Sequence, residues 1–259
     1  VRVPQPLSTD RNEYDKQTIS MVAATEIPTN PIEAIFIDCD DCLYQNDWST
    51  AKKITSSIAA YVEKLGVSKE KSYDLYKQHG TCLKGLLVEG IIDDAQVGEF
   101  LHEVHQIDYS DIKEDPALFD VLKKACDVAP CWIFTASAKE HAERCLERIG
   151  LSSLPWKGII DTRDCGLDTK HTPSSFKAAM RIAGVSEPSN CLFCDDSVKN
   201  IVAAKQLGWR TVLVGLYDRD HGTKITCPEA DAHIASLHEL EALLKLNTSD
   251  ASAAGANAS

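Results

Sequence analysis

The central part of the chain alternates short apolar runs with amphipathic helical patterns. Each run is flanked by turn residues and lacks polar alternation, as expected of strands that are covered on both faces of a parallel sheet. This βαβ rhythm predicts an α/β fold, a doubly wound parallel-sheet core of the Rossmann type. The predicted strands are 34-AIFI-37, 131-CWIF-134, 158-GIID-161, 191-CLFC-194, 211-TVLV-214 and the weaker 232-AHI-234.

Helical patterns separate the later strands. An apolar face at helical spacing, an opening Ser or Thr-Pro and a closing Gly define each of them. The predicted helices run from Ser137 to Gly150, from Thr172-Pro173 to Gly184, and from Val198 to Gly208.

The rhythm breaks once, directly after the first strand. Residues 49–105 carry only helical patterns, which predict a helical insertion in place of a single crossover helix. Asp115-Pro116 then opens the helix that returns the chain to the sheet. We therefore expect a flexible leader, a core, a helical domain inserted into that core and a flexible tail. Their predicted bounds are 1–30, 31–44 with 113–246, 45–112, and 247–259.

The composition is that of an ordinary globular protein, with 44% hydrophobic and 25% charged residues in 259. The formal net charge of -12 argues against a nucleic-acid polymer as partner, because phosphates would be repelled by most of the surface. No apolar run approaches the roughly 20 residues needed to cross a bilayer. We expect a cytoplasmic monomer or homodimer that does not bind membranes, with an organellar or nuclear location left open.

Two Cys-x-x-Cys pairs invite a metal or redox interpretation. Cys39 and Cys42 are separated from Cys191 and Cys194 by about 150 residues, whereas a zinc ribbon keeps its pairs about 15 to 20 residues apart. Redox motifs sit at helix N-termini, and here the second pair brackets an apolar strand. We favour thiols that serve as small packing residues. If the strand ends adjoin the reacting site, however, oxidation or a soft metal at Cys39, Cys42 or Cys194 would block it.

Acidic residues follow two of the predicted strands. Asp38 and Asp40 come at the end of the first strand, and Asp195 and Asp196 end the fourth. The carboxyl ends of parallel strands meet at one edge of a sheet, so these carboxylates should converge. Like charges so close need a cation, and hard oxygen donors favour Mg²⁺.

Two further groups complete a constellation suited to an anion. Thr135 ends the second strand, where its hydroxyl and the backbone around Ala136 and Ser137 can bind phosphate oxygens at a helix start. Lys170 precedes a predicted helix and supplies a cation. Alone, Thr135 is better explained as a helix cap and Lys170 as a surface lysine. Together with the acids they predict a site for phosphoryl transfer.

These residues resemble the four motifs of the haloacid dehalogenase-like (HAD) phosphohydrolases, over about Ile32 to Leu246. The helical insertion is similar to the C1 cap of that family. The resembling segments are Asp38-Cys39-Asp40-Asp41-Cys42-Leu43-Tyr44, Ile133-Phe134-Thr135, Lys170 to Phe176, and Phe193 to Ser197 with Asn200.

The resemblance implies a mechanism. Asp38 would be the nucleophile that becomes phosphorylated, and Asp40 would protonate the leaving alcohol and then activate water. Thr135 and Lys170 would bind the phosphoryl oxygens. Mg²⁺ would be held by Asp38, the Asp40 backbone carbonyl and Asp196. Asp195 would support these ligands without contacting the ion, or would serve as an alternate ligand.

The branch most similar to this chain contains the pyrimidine 5'-nucleotidases. The similarity lies in Leu43-Tyr44, in residues 76–81 and in the run 195–197. The expected substrate is therefore a small phosphorylated metabolite, a nucleoside 5'-monophosphate. Tyr44, Trp48, Tyr76, His79 and Lys84 are candidates to contact it. Three positions depart from the family pattern, with Cys42 in place of Thr, His171 in place of Pro, and Ala136 where Asn is frequent.

Three alternatives remain open. The first is a HAD phosphatase or phosphomutase for a sugar phosphate or another small metabolite. The second is a HAD-fold protein without catalysis, and the third is a thiol metal-binding protein.

Overall fold

A computed structural model describes residues 31–219 and 221–244 of the chain. Within them, six parallel strands form one sheet in the order β3-β2-β1-β4-β5-β6. All six predicted strands are present, and the doubly wound prediction is confirmed. Their bounds are β1 Ala34–Ile37, β2 Cys131–Phe134, β3 Gly158–Ile160, β4 Cys191–Asp195, β5 Arg210–Val214 and β6 Ala232–Ile234.

Helices fill the connections between the strands. Four lie between β1 and the helix that returns to the sheet, and the rest separate the later strands. Their bounds are α1 Ser49–Lys64, α2 Lys69–His79, α3 Cys82–Val88, α4 Val97–Val104, α5 Pro116–Val128, α6 Lys139–Ile149, α7 Pro173–Ala183 and α8 Val198–Gln206. Single 3₁₀ turns occur at Asp94–Gln96, Pro188–Asn190 and Leu237–Glu239.

Apolar side chains cover both faces of the sheet. Ile35 and Ile37 point to one side, where α5 and α6 pack, and Phe36 points to the other, where Phe176 of α7 packs. This two-sided burial explains why the strands read as continuous apolar runs without alternation. The insertion builds a separate apolar cluster around Tyr61 and Leu86.

Two helix predictions need correction. The helix expected to open at Ser137 begins at Lys139, because the Asp161 carboxylate accepts a hydrogen bond from the Lys139 backbone N–H (2.9 Å) and takes over the capping. Asp161 itself was predicted as strand and lies just beyond β3. The short helix α3 was not predicted, since its seven residues are too few for a helical period to stand out.

The predicted leader and tail lie outside the described residues. The four-part division of the chain stays a prediction, although helices α1 to α4 all fall within the predicted insertion. None of the helices in the described ranges is both long and apolar enough to cross a membrane.

Candidate active site

The predicted site residues meet at the carboxyl edge of the sheet. Ile37 of β1 lies in register with Cys194 of β4 and Ile133 of β2, so the residues after them leave the sheet side by side. Asp38 and Thr135 are 7% and 2% exposed, and Asp195 is fully buried.

Lys170 reaches this edge from the loop before α7. Its ammonium lies 2.8 Å from Asp38 Oδ2 and 2.6 Å from Asp195 Oδ2, and it donates to the Phe134 carbonyl at 3.2 Å. Burial would lower the pKa of Lys170, but the Asp195 and Asp38 carboxylates raise it above its ordinary value. Lys170 is therefore a buried cation, and the surface-lysine alternative is wrong.

Asp195 is held on both carboxylate oxygens. Besides Lys170, it accepts hydrogen bonds from the Ser197 backbone N–H (2.8 Å) and from the Asn200 amide at 2.9 and 3.1 Å. Asp196 differs, because no hydrogen bond to its carboxylate is found in the part of the chain that the structure describes. Asp195 is thus built to position Lys170, whereas the Asp196 oxygens remain available to a ligand.

The donor set at this edge fits a hard divalent cation. Carboxylate oxygens of Asp38, Asp195 and Asp196 lie within 4.8 Å of one another. Three carboxylates against one ammonium leave a local charge of about -2. Burial, with repulsion from Asp195 and Asp38, raises the pKa of Asp196 well above its ordinary value, an effect that a bound cation would offset. An all-oxygen set of this kind suits Mg²⁺. The Asp40 carbonyl as a ligand stays a prediction.

Asp40 lies on the tight turn that follows β1, next to Asp41, whose φ of 58° is in the left-handed region. Its carboxylate accepts three hydrogen bonds, from Tyr44 Oη (2.5 Å), Ser137 Oγ (2.9 Å) and His141 Nε2 (2.7 Å). Burial would raise the pKa of Asp40, but the charge of His141 and these donors hold it below its ordinary range. Tyr44, which was expected to contact the substrate, instead donates a hydrogen bond to Asp40.

His141 is the main residue that the sequence analysis missed. It is fully buried on α6, where Asp40 raises the pKa of its imidazole well above the ordinary value, against the effect of burial. Tyr109 Oη donates to the His105 carbonyl (3.0 Å) and lies 2.9 Å from His141 Nδ1. A hydroxyl with its one proton committed must accept from Nδ1–H, which aims Nε2 at Asp40. The available signal was its spacing of four from Cys145 on the apolar face of α6.

The predicted phosphate-binding loop has a defined geometry. Thr135 Oγ1 accepts a hydrogen bond from the Ser137 backbone N–H (3.0 Å), so its own proton is free to donate. Ala136 is exposed between them. Ser137, whose hydroxyl binds Asp40, joins this loop to the second acid.

The insertion contacts the core through two of the other candidates. Lys84 forms an ion pair with Asp168 (2.9 Å), two residues before Lys170. Tyr76 Oη accepts a hydrogen bond from Arg219 (3.3 Å), and Arg219 lies 3.7 Å from Asp41. No hydrogen bond or ion pair from Trp48 or His79 side chains to the site is found among the described residues.

All ten cysteines lie in the described residues, and all are free thiols. Cys42 donates to the Cys194 carbonyl (Sγ to O, 3.7 Å), so the first Cys-x-x-Cys pair does not converge on one point. Cys39 instead lies beside Cys145 of α6, whose Sγ is 3.6 Å from His141 Nε2.

Comparisons with known proteins agree with this architecture. A family model described as haloacid dehalogenase-like hydrolase matches residues 32–208. Phosphate metabolism protein 8 of Saccharomyces cerevisiae is 28% identical over 201 residues, which cover 70% of this chain and 61% of that protein. The chain therefore spans less than two thirds of that relative's length.

Two solved structures share the fold. A β-phosphoglucomutase from Clostridium difficile aligns with a TM-score of 0.54 and 20% identity, covering 84% of this chain and 98% of the other. An L-2-haloacid dehalogenase from Xanthobacter autotrophicus aligns with a TM-score of 0.52 and 14% identity, covering 83% and 98%. At these identities the likeness concerns the fold alone.

Proposed function

The chain belongs to the haloacid dehalogenase-like hydrolases, and from that premise we propose that it is a Mg²⁺-dependent phosphomonoesterase that works through a phosphorylated Asp38. The observation that carries the proposal is the pairing of two different acids on one turn. Asp38 is bound to the buried Lys170, and Asp40 is bound to His141. One acid is thereby suited to attack and the other to proton transfer.

In the first step an Asp38 carboxylate oxygen attacks the phosphorus of the substrate. The bond from phosphorus to the alcohol oxygen breaks, and Asp40 gives that oxygen a proton as it leaves. In the second step water attacks the phosphorus of the aspartyl-phosphate and passes a proton to Asp40. Inorganic phosphate leaves, and Asp38 is restored.

His141 supports the role of Asp40. Its Nε2 lies 2.7 Å from Asp40, and Tyr109 keeps the other ring nitrogen protonated. Because Nε2–H donates to the carboxylate, the pair holds a proton that can move to Asp40 when the alcohol departs. Asp40 alone, ionised by its three donors, would lack that proton at neutral pH.

Thr135 and Lys170 supply the donors for the phosphoryl oxygens. Lys170 already lies 2.8 Å from the attacking carboxylate, so an oxygen bound to it would sit close to Asp38. Mg²⁺, held by Asp38 and Asp196, would offset the charge that develops on the transferring group.

Asp40 favours phosphate ester cleavage over dehalogenation. A departing halide needs no proton, whereas a departing alkoxide does. A second acid that can donate a proton therefore has a role in phosphate ester cleavage that the departure of a halide does not require.

For the substrate we propose a pyrimidine nucleoside 5'-monophosphate. Support comes from the resemblance of residues 76–81 to the nucleotidase branch and from the name of the yeast relative, which places that protein in phosphate metabolism. Tyr76 lies near the site through its hydrogen bond with Arg219. Its ring, which contacts Tyr73 and Lys77, is the aromatic group that we propose to stack on the base.

The test is phosphate release from nucleoside monophosphates, sugar phosphates and phosphoglycolate, with Mg²⁺ and with chelator, beside Asp38→Asn and Asp40→Asn proteins. We expect release from pyrimidine monophosphates that needs Mg²⁺ and is abolished by Asp38→Asn. A preference for a sugar phosphate would refute the proposed substrate and support the proposed phosphomonoesterase chemistry. A folded protein that is silent on every substrate would refute the phosphatase proposal.

A further inference from the structure

A second set of metal-ligating atoms lies between helix α6 and the turn that carries Asp38 and Asp40, which we call the catalytic turn. Cys39 Sγ, an Asp40 carboxylate oxygen, His141 Nε2 and Cys145 Sγ all lie within 4.8 Å of one another. Cys39, His141 and Cys145 are fully buried. We call these four residues the thiol tetrad. It shares Asp40 with the catalytic turn but none of the carboxylates that converge around Lys170.

The donors of the thiol tetrad are those of a zinc site. Two sulfurs, one imidazole and one carboxylate give four ligands of the types that Zn²⁺ takes, and thiolates exclude Mg²⁺. Tetrahedral bonds of about 2.0 to 2.3 Å place ligand atoms about 3.3 to 3.8 Å apart. Cys145 Sγ is already 3.6 Å from His141 Nε2. The 2.7 Å gap between His141 and Asp40 must open by about 0.6 Å to admit the ion.

The imidazole is oriented as a metal-ligating histidine requires. Tyr109 accepts the Nδ1–H of His141, so loss of the second proton leaves a lone pair on Nε2, the atom that faces the tetrad.

A cavity borders this histidine. A cavity of about 260 Å³ is lined by His141, Ala138 and Arg144 together with His102 and His105 of the insertion. The His105 ring stacks on the His141 ring with centroids 4.7 Å apart. The imidazoles of His102 and His105 thus line a cavity that borders the thiol tetrad at His141.

We propose that the thiol tetrad binds Zn²⁺ and that this binding switches the enzyme off by withdrawing Asp40 from the substrate. On binding, each thiol that becomes a ligand releases its proton to solvent, and His141 releases the proton from Nε2. The Asp40 carboxylate is then bound to Zn²⁺, and the proton that the leaving alcohol needs has been lost from His141. The ion binding stands on geometry alone, whereas the inhibition rests on the proposed function.

The binding is tested first with Co²⁺ and Zn²⁺ on the chelator-treated full chain, in excess Mg²⁺ to fill the oxygen site. We expect one equivalent of Zn²⁺, and with Co²⁺ the near-ultraviolet charge-transfer absorption of cobalt bound to thiolate. Cys145→Ala should lose the band and weaken Zn²⁺ binding about tenfold or more. Asp38→Asn, which leaves the tetrad intact, should keep both.

Cys165→Ala is the matched control, since Cys165 is a buried thiol on the other face of the sheet. It should bind Zn²⁺ as the wild type does. Circular dichroism on each variant separates loss of the site from loss of the fold. Absence of the thiolate band in wild type, or its persistence in folded Cys145→Ala and Cys39→Ala proteins, would refute the site.

The inhibition is tested by phosphate release with and without Zn²⁺, compared within each protein. Zn²⁺ should suppress the rate in wild type and Cys165→Ala, and suppress it much less in Cys145→Ala. If Zn²⁺ binds with the thiolate signature but leaves the rate unchanged, the switch is refuted. If the chain releases no phosphate under any condition, the proposed function fails, and the spectroscopic result still decides the site.

Discussion

At the scale of single residues, Lys170 organises the site. Its ammonium joins Asp38 to Asp195, and Asp195 is fixed in turn by Asn200. Removing a buried cation from between two acids leaves uncompensated charge, which costs about 3 to 5 kcal/mol.

Lys170→Met is therefore expected to lower both stability and turnover. We expect urea unfolding to show a loss of about 3 kcal/mol in the free energy of unfolding. We expect kcat to fall about a hundredfold or more, because the proposed hydrogen-bond donor to the phosphoryl oxygens is lost. Lys71→Met is the control, since Lys71 pairs with Glu89 on the surface of the insertion, where both side chains are partly exposed. It should cost about 1 kcal/mol or less and leave kcat unchanged. Equal loss of kcat in both variants would contradict the assignment of Lys170.

His105 makes the stability depend on pH. Burial, with the neighbouring His141, lowers the pKa of its imidazole from 6.5 to about 4. Between about pH 6.5 and 4 the unfolded chain binds a proton that the folded chain refuses, so stability is lost as the pH falls. The contribution amounts to about 3 kcal/mol over that window.

His105→Gln should flatten this loss when urea unfolding is compared at about pH 7 and about pH 5. His102→Gln is the matched control, because His102 lies in the last turn of α4, three residues before His105, and is exposed. The control should lose as much stability on acidification as the wild type. An identical pH response in the His105 variant would show that another group is responsible.

At the scale of elements, the strands were predictable, whereas the start of α6 and the short helix α3 were not. A strand covered on both faces leaves an apolar run that needs no partner to be recognised. The start of α6 depends on Asp161, a residue 22 positions away along the chain, and local capping rules cannot reach that far. Separation along the chain also hid the role of His141, because its partner Asp40 lies 101 positions earlier. The acids at the strand ends were predictable, since the sheet topology alone brings them together.

Helix α3, too short to predict, is held by close packing on α2. A Cβ added at Gly85 would lie 2.6 Å from Leu75 Cβ, closer than side chains approach. Leu75 is fully buried, so the two helices would have to move apart.

Gly85→Ala is thus expected to cost about 1 to 3 kcal/mol, although alanine favours a helix. At Gly98 of α4 a Cβ would meet nothing within 4 Å. Gly98→Ala should therefore stabilise the protein by up to about 1 kcal/mol. Thermal unfolding of the two variants gives the comparison, and a shift of the same sign in both would contradict the packing argument.

At the scale of the whole molecule, the insertion is connected to the loop that presents Lys170. Lys84, at the start of α3, pairs with Asp168 at 2.9 Å, and the Ser174 hydroxyl donates to the other oxygen of Asp168 (2.6 Å). Both members of the pair are about one-third exposed, so water screens much of their attraction. The pair therefore adds little to stability, about 0 to 1 kcal/mol, and its effect should lie in the position of the insertion over the site.

Lys84→Met should consequently raise KM severalfold with little change in the unfolding midpoint, because the insertion no longer holds its position over the bound phosphoester. Asp168→Asn should do the same, and the double variant should be no worse than either single one. Lys71→Met is the matched control, since the Lys71–Glu89 pair has similar exposure but lies wholly within the insertion. If that control raised KM equally, the effect would come from surface charge and not from the connection between insertion and core. Additive effects of Lys84→Met and Asp168→Asn on KM would lead to the same conclusion. If the two residues act only through their ion pair, either substitution alone removes the whole effect.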